Sequence, residues 1–195
     1  LAVGAIGGTE VEGINTVALT SSTGITLSGG ITTSNATGNS VTLTGPVTLA
    51  GDITIDADAN NTSVTFNSTA TVNSDGTPRD LTINTGAGAI AMQGVIGGSA
   101  ELDVISINSA TTGAGTIEIT NTQADGAVSI GNSNTATLTL DGTAYTTTGT
   151  NSARPIQLMI TTSLELTLLS LQLLELLPLQ MADLMEVLIF QMLRI

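Results

Sequence analysis

Apolar residues recur at every second position in this chain, but only in runs of three or four residues, and glycine- and asparagine-rich turns separate the runs. Between Val64 and Ala110 the runs are Val64-Thr-Phe66, Leu81-Thr-Ile83, Ile90-Ala-Met92 and Ile105-Ser-Ile107. A period of two sends one set of side chains to one face of a strand and the polar set to the other. Asn-Ser, Asp-Gly, Gly-Ala-Gly and Gly-Gly lie between them, residues that tolerate positive φ or hydrogen-bond their own turn. The same writing gives Val17-Ala-Leu19, Ile25-Thr-Leu27, Val41-Thr-Leu43, Val47-Thr-Leu49 and Ile53-Thr-Ile55 before this stretch. After it come Ile117-Glu-Ile119, Val128-Ser-Ile130 and Thr137-Leu-Thr-Leu140. Helical periodicity is absent from residues 1–150.

Short strands at this spacing suit a sandwich, a barrel or a solenoid. Composition chooses among them. The 195 residues include no Trp, one Tyr and two Phe, so a wide core could not be filled. A narrow coil stacked on itself needs only Val, Ile, Leu and Ala inside. The expected fold is therefore all-β, a parallel β-helix (β-solenoid), with coils about 4.8 Å apart. Its interior should hold Val41, Leu43, Ile53, Ile55, Val64, Phe66, Leu81, Ile83, Ile105, Ile107, Ile117, Ile119, Val128, Ile130, Leu138 and Leu140. Asparagines near turns are expected to stack as side-chain ladders. A longer repeat is also visible: Gly4-Ala-Ile-Gly-Gly-Thr9 returns as Gly94-Val-Ile-Gly-Gly-Ser99. That recurrence predicts a module of several coils, with Gly7-Gly8 and Gly97-Gly98 in equivalent turns.

Sixteen acidic residues stand against three arginines, for a net charge of −13. Phosphate backbones and anionic membranes both call for the basic side chains that are almost absent, so no nucleic-acid partner is expected and an anionic membrane surface is disfavoured. Without His, Cys or Lys, most nucleophilic and acid–base constellations are excluded too. No signal peptide is visible and the chain starts at Leu1, which reads as a piece of something longer.

Several stretches invite a chemical reading. Asp52, Asp56, Asp58 and Asn60 form an acidic cluster, and Asp56-Ala-Asp-Ala-Asn60 matches the opening ligands of an EF-hand loop. Asn61 then stands where glycine is needed and Asn67 where a bidentate Glu would close the site, so a solvated turn is expected and no metal. Asp75-Gly-Thr-Pro-Arg-Asp80 holds a lone arginine between two carboxylates, the kind of pairing used by carbohydrate-active β-helices. The plainer expectation is a Pro-pinned turn with a solvated ion pair. Thr42/Thr44 and Thr137/Thr139 raise ice binding, which needs such pairs aligned over many coils; coils of unequal length are expected to scatter them. Gly86-Ala-Gly88 and Gly113-Ala-Gly115 resemble phosphate-loop fragments but precede no helix, so they read as turns. Asn35, Asn61 and Asn67 fit the glycosylation sequon, which carries little in a chain so rich in Thr and Asn. No catalytic, cofactor-binding or metal residue is assigned and no cofactor is expected.

The segments VTFNSTATVNSDGTPRDLTINTGAGAIAMQGVIGG and LTLDGTAYTTTGT resemble filamentous-haemagglutinin-like repeats of giant bacterial surface and secreted proteins. The resemblance covers residues 1–150. It implies a right-handed parallel β-helix exported to the outer cell surface or beyond, a non-catalytic structural and adhesive role, and host or surface glycans or proteins as partners, along with the rest of one long chain. A carbohydrate-active lyase or hydrolase is the alternative, and an ice-binding solenoid a further one.

Residues 151–195 break the pattern. They contain no glycine but 14 of the 23 leucines and four of the five methionines. One reading is a helical cap, since Leu, Met, Glu and Gln favour helices. A membrane span is disfavoured by Glu165, Glu175 and Pro178. The third reading is a frameshift. With codons taken one base earlier, Met159-Ile160 must give Asp, and Met181-Ala182 and Met185-Glu186 must each give Gly. Permitted codons then turn residues 168–193 into TITTTTGTTATTNGGSDGSVNISNA, the language of residues 1–150.

Overall fold

The computed structural model describes residues 1–7, 16–33 and 40–147, the Asn60 side chain excepted. All belong to the first of the two units into which the chain divides, Leu1–Met159. The 151–195 tail, Gly8 and the Asn35 sequon lie outside the described residues.

The described residues form a β-solenoid of about five coils. The chain visits three parallel faces in rotation. The first is built from β1 (Ala2–Val3), β3 (Ile25–Leu27), β6 (Val47–Leu49) and β9 (Val72–Ser74), then Ile96, β14 (Thr122–Ala124) and β17 (Tyr145–Thr147). The second is Ile6, β4 (Ile31–Thr32), β7 (Ile53–Asp56), β10 (Leu81–Asn84), β12 (Ile105–Ile107) and β15 (Val128–Ile130). The third is β2 (Thr16–Thr20), β5 (Ser40–Thr44), β8 (Ser63–Phe66), β11 (Ile90–Met92), β13 (Thr116–Ile119) and β16 (Thr137–Leu140). Every strand pairing is parallel, and each joins a strand to its counterpart one coil away.

Alternation sets the inside. On the third face Val17, Val41, Val64, Ile90, Ile117 and Leu138 stand in one column, and Leu19, Leu43, Phe66, Met92, Ile119 and Leu140 in the next. From Val41 to Ile119 both columns are at most 1% exposed. Burial of each such side chain contributes about 1.5–3 kcal/mol, so the interior columns supply the main favourable term. Twelve of the sixteen expected core residues are fully buried; Val128, Ile130, Leu138 and Leu140, in the last described coil, pack against the core half-buried. Core volume is traded between coils. Phe66 stands where Leu43 does one coil earlier, and Ser74 stands where Leu49 does, so the coil with the larger residue also has the smaller one. Interiors packed to crystal density favour such conserved total volume.

Coil length runs from 21 residues (Ile117 to Leu138) to 28 (Ile53 to Leu81). The differences are taken up at corners, such as the 3-10 turn Asp58–Asn60 and the turn through Asp75 and Arg79.

The ninety-residue recurrence is corrected in one respect. Gly7 and Gly97 do occupy like turns: each follows a bridging isoleucine, with φ of 73° and 76°. A Cβ at either would overlap a neighbouring coil's carbonyl, that of Thr32 or of Gln123. Yet Ile6 bridges to Ile31 on the second face, whereas Ile96 bridges to Val72 and Thr122 on the first. The motif reuses a local turn and does not mark a module of whole coils.

Candidate functional surface

Outward side chains are fixed by the same register that builds the core. On the second face Thr54, Thr82, Ser106 and Ser129 stand opposite one another in four successive coils. On the third face Thr16, Ser40 and Ser63 form one column, and Ala18, Thr42 and Thr65 the next. Thr20 stands beside Thr44, whose Oγ1 accepts a 2.7 Å hydrogen bond from Asn67 Nδ2 in the following coil. The Thr42/Thr44 pair meets Ala18/Thr20 in one neighbouring coil and Thr65/Asn67 in the other, so the Thr-x-Thr pair is not repeated from coil to coil, as expected, although single hydroxyls align. Length variation sits at corners and leaves strands in register. The central column then passes through Ala91 and Glu118 before Thr139, so the hydroxyl array is confined to the N-terminal coils. Thr137 stands beside Thr116.

Two carboxylates act on the coils themselves. Asp80 N–H donates to Asp52 Oδ1 at 3.2 Å, and Val104 N–H donates to Asp80 Oδ1 at 3.0 Å. These two aspartates occupy the residue just before a second-face strand and accept the N–H of the next coil. Asparagines do the same at other corners. Asn61 Oδ1 accepts from Ala87 N, Asn73 Oδ1 from Ser99 and Ala100 N, and Asn121 Oδ1 from Thr143 and Ala144 N. The expected asparagine ladder thus takes another form: these amides cap the backbone of the following coil, which a corner would otherwise leave unpaired.

Arg79 grips Asp75 with both oxygens, Nε to Oδ1 at 3.1 Å and Nη2 to Oδ2 at 3.0 Å. Those bonds, together with the Thr77 N–H, hold the Asp75 carboxyl below its ordinary range, and the pair raises the guanidinium in turn. Asp80 faces the neighbouring coil and is not part of the fork. The sequence motif therefore divides into an ion-paired turn and a backbone cap, and Asp75, Arg79 and Asp80 do not converge as one acid–base group.

Around Asp56 the chain makes the Asp58–Asn60 3-10 turn, and Asn61 takes the left-handed conformation itself, with φ 54°. Asn67, the position that would close an EF-hand loop, lies beyond β8 and is bonded to Thr44. The Asp58 carboxyl is raised, first by partial burial and then by the charge and hydrogen bond of Asp56. Among the described residues, no three of His, Cys, Asp or Glu group as metal ligands. Gly86-Ala-Gly88 and Gly113-Ala-Gly115 are corner turns stacked on each other; a Cβ at Gly113 or Gly115 would run into the carbonyl of Gly86 or Gly88.

The second-face hydroxyl column escapes a reading based on Thr-x-Thr pairs. Its signal is the middle residue of each apolar-x-apolar run: Thr54, Thr82, Ser106 and Ser129. Neither a family model, nor a curated protein, nor a solved structure matches the chain.

Proposed function

We propose that this solenoid is a non-catalytic structural and adhesive segment of a large bacterial cell-surface or secreted adhesin, of the filamentous-haemagglutinin-like kind. The observation that carries this reading is the in-register hydroxyl column Thr54–Thr82–Ser106–Ser129, a column of uncharged side chains repeated at the coil spacing. Such a column offers donors and acceptors to an extended glycan or polypeptide without the desolvation cost of charges. The carbohydrate-active alternative requires carboxylates free to exchange protons, whereas Asp75 is ion-paired and Asp52 and Asp80 cap backbone. The test is binding of the 195-residue chain to arrayed glycans and host-surface proteins, alongside Thr82→Arg and Ser106→Arg variants. Binding lost in both variants supports the reading. Depolymerisation of a polysaccharide by the wild type, abolished in Asp80→Asn, would replace it with the enzyme alternative.

The aligned Thr16/Ser40/Ser63 and Ala18/Thr42/Thr65 columns favour a second reading, ordering of water or ice on the third face. Thermal hysteresis that disappears in Thr42→Arg would support it.

A further inference from the structure

Among the described residues, the corner between the second and third faces differs between two successive coils, 57–62 and 85–88, in where it places a hydroxyl. Thr33, Ala57 and Thr85 occupy one inward position in successive coils: Thr33 N–H bonds to Asp56 O at 2.9 Å, and Ala57 N–H to Asn84 O at 2.7 Å. Across the turn Thr62 corresponds to Gly88, because Thr62 N–H bonds to Ala57 O as Gly88 N–H bonds to Thr85 O. In the later coil the corner is complete, with Thr85 Oγ1 donating to Gly88 O at 2.8 Å. In the earlier coil that position is Ala57, which has no hydroxyl. Thr33 N–H bonds to Asp56 O, just before Ala57, and Thr62 N–H bonds to Ala57 O; each threonine is 2% exposed. Both Oγ1 atoms are buried with no partner in the protein. The third such oxygen, Asn84 Oδ1, lies on an outward position beside Asp56 and is not part of this corner.

Buried hydroxyls without partners are costly, and proteins satisfy them with ordered water where two or more polar groups meet. We propose that an ordered water molecule is held inside the solenoid beside Ala57, taking the place that the Thr85 hydroxyl fills one coil on, and bridging Thr33 Oγ1 and Thr62 Oγ1. The site extends the function proposed above by a resident component of the interior.

A high-resolution crystal structure of the whole chain tests this directly. A density peak within hydrogen-bond distance of both hydroxyls is expected, and an empty corner overturns the proposal. Ala57→Ser and Thr62→Val test it in solution. With a bridging water, Ala57→Ser replaces it and keeps or raises the unfolding midpoint, while Thr62→Val lowers the midpoint. If the corner is dry, Thr62→Val removes an unpaired hydroxyl and raises the midpoint, which sinks the idea.

Discussion

Gly113→Ala should be among the most damaging single-atom additions possible in this chain. A Cβ on Gly113 overlaps Gly86 C and O and lies 2.5 Å from Ala87 N. Carbon atoms in good contact sit about 3.5–4 Å apart, so the turns must separate by more than an ångström. Both turns are also pinned: Asn108 Nδ2 donates to Gly86 O at 2.8 Å, and Asn132 Nδ2 to Gly113 O at 3.2 Å. Overpacking against backbone costs about 1–3 kcal/mol, and the strained amide bonds place this case near the upper end. Gly76→Ala provides the contrast, because Gly76 has φ 104° with nothing within 4 Å of a built Cβ. Only the backbone preference is lost there, about 1–2 kcal/mol. Gly4→Ala meets neither obstacle and should fall within about 0.5 kcal/mol of wild type. Urea unfolding followed by far-ultraviolet circular dichroism ranks the three. If Gly113→Ala proves no more destabilising than Gly76→Ala, the stacked-corner geometry is wrong.

Other consequences are as concrete. Asn108 is fully buried at φ 51°, accepting from Thr85 N and Thr111 Oγ1 and donating to Gly86 O. Asn108→Ala should therefore cost about 3 kcal/mol in urea unfolding, and Asn108→Gly about 1 kcal/mol less, since glycine accepts the positive φ. The Arg79–Asp80 bond should resist trypsin in the folded chain: Arg79 N bonds to Ser74 Oγ, Asp103 N to Arg79 O, and Asp80 N to Asp52 Oδ1. Rapid cleavage there under native conditions would contradict that clamping. Asp58 has a raised carboxyl, so its contribution is present at low pH and is lost as pH rises through its folded value. Asp58→Asn should accordingly make the melting temperature fall less, or rise more, with pH across the carboxylate range than it does in the wild type. The coding DNA checks the tail: the shifted frame over residues 154–195 should continue the Thr/Gly/Asn text, and stop codons in it would refute the frameshift.

The second and third faces were legible from sequence because their core positions are filled by Val, Ile, Leu, Phe and Met at i and i+2. The first face was legible only in its early coils. Val72-Asn-Ser74 and Thr122-Gln-Ala124 are strands whose inward residues include Ser74 at 6% exposure and Thr122 at 2%. A small hydroxylated side chain suffices there, and Thr122 Oγ1 bonds back to Thr120 O. No hydrophobic pattern announces such a strand. Its existence follows from closure, because a coil with two apolar faces needs a third side to return. Ile96 is the limiting case, a single bridging residue where a strand would stand. Asp80 shows the same limit at the candidate site. Its neighbours in sequence suggested a carboxylate pair around Arg79, but the partner that decides its role, Val104 N, lies one coil away.

The residues that fix the fold and those that would fix a ligand are disjoint in this architecture. Apolar residues at i and i+2 determine register, and register then carries whatever lies between them outward. Thr65, Ala91 and Glu118 occupy one outward column, while the inward residues beside them remain Val64/Phe66, Ile90/Met92 and Ile117/Ile119. An outward residue can change from hydroxyl to methyl to carboxylate without altering a core contact, and a corner can lengthen without disturbing the columns. The pattern that makes the solenoid recognisable therefore constrains the interior. The specificity of the surface rests on the intervening residues, whose alignment appears only when the coils are stacked. A substitution series confined to Thr54, Thr82, Ser106 and Ser129 should thus change binding while leaving the unfolding free energy from urea titration within about 0.5 kcal/mol per site. Large losses of stability from these outward changes would mean that the column supports the fold and does not serve as a contact surface.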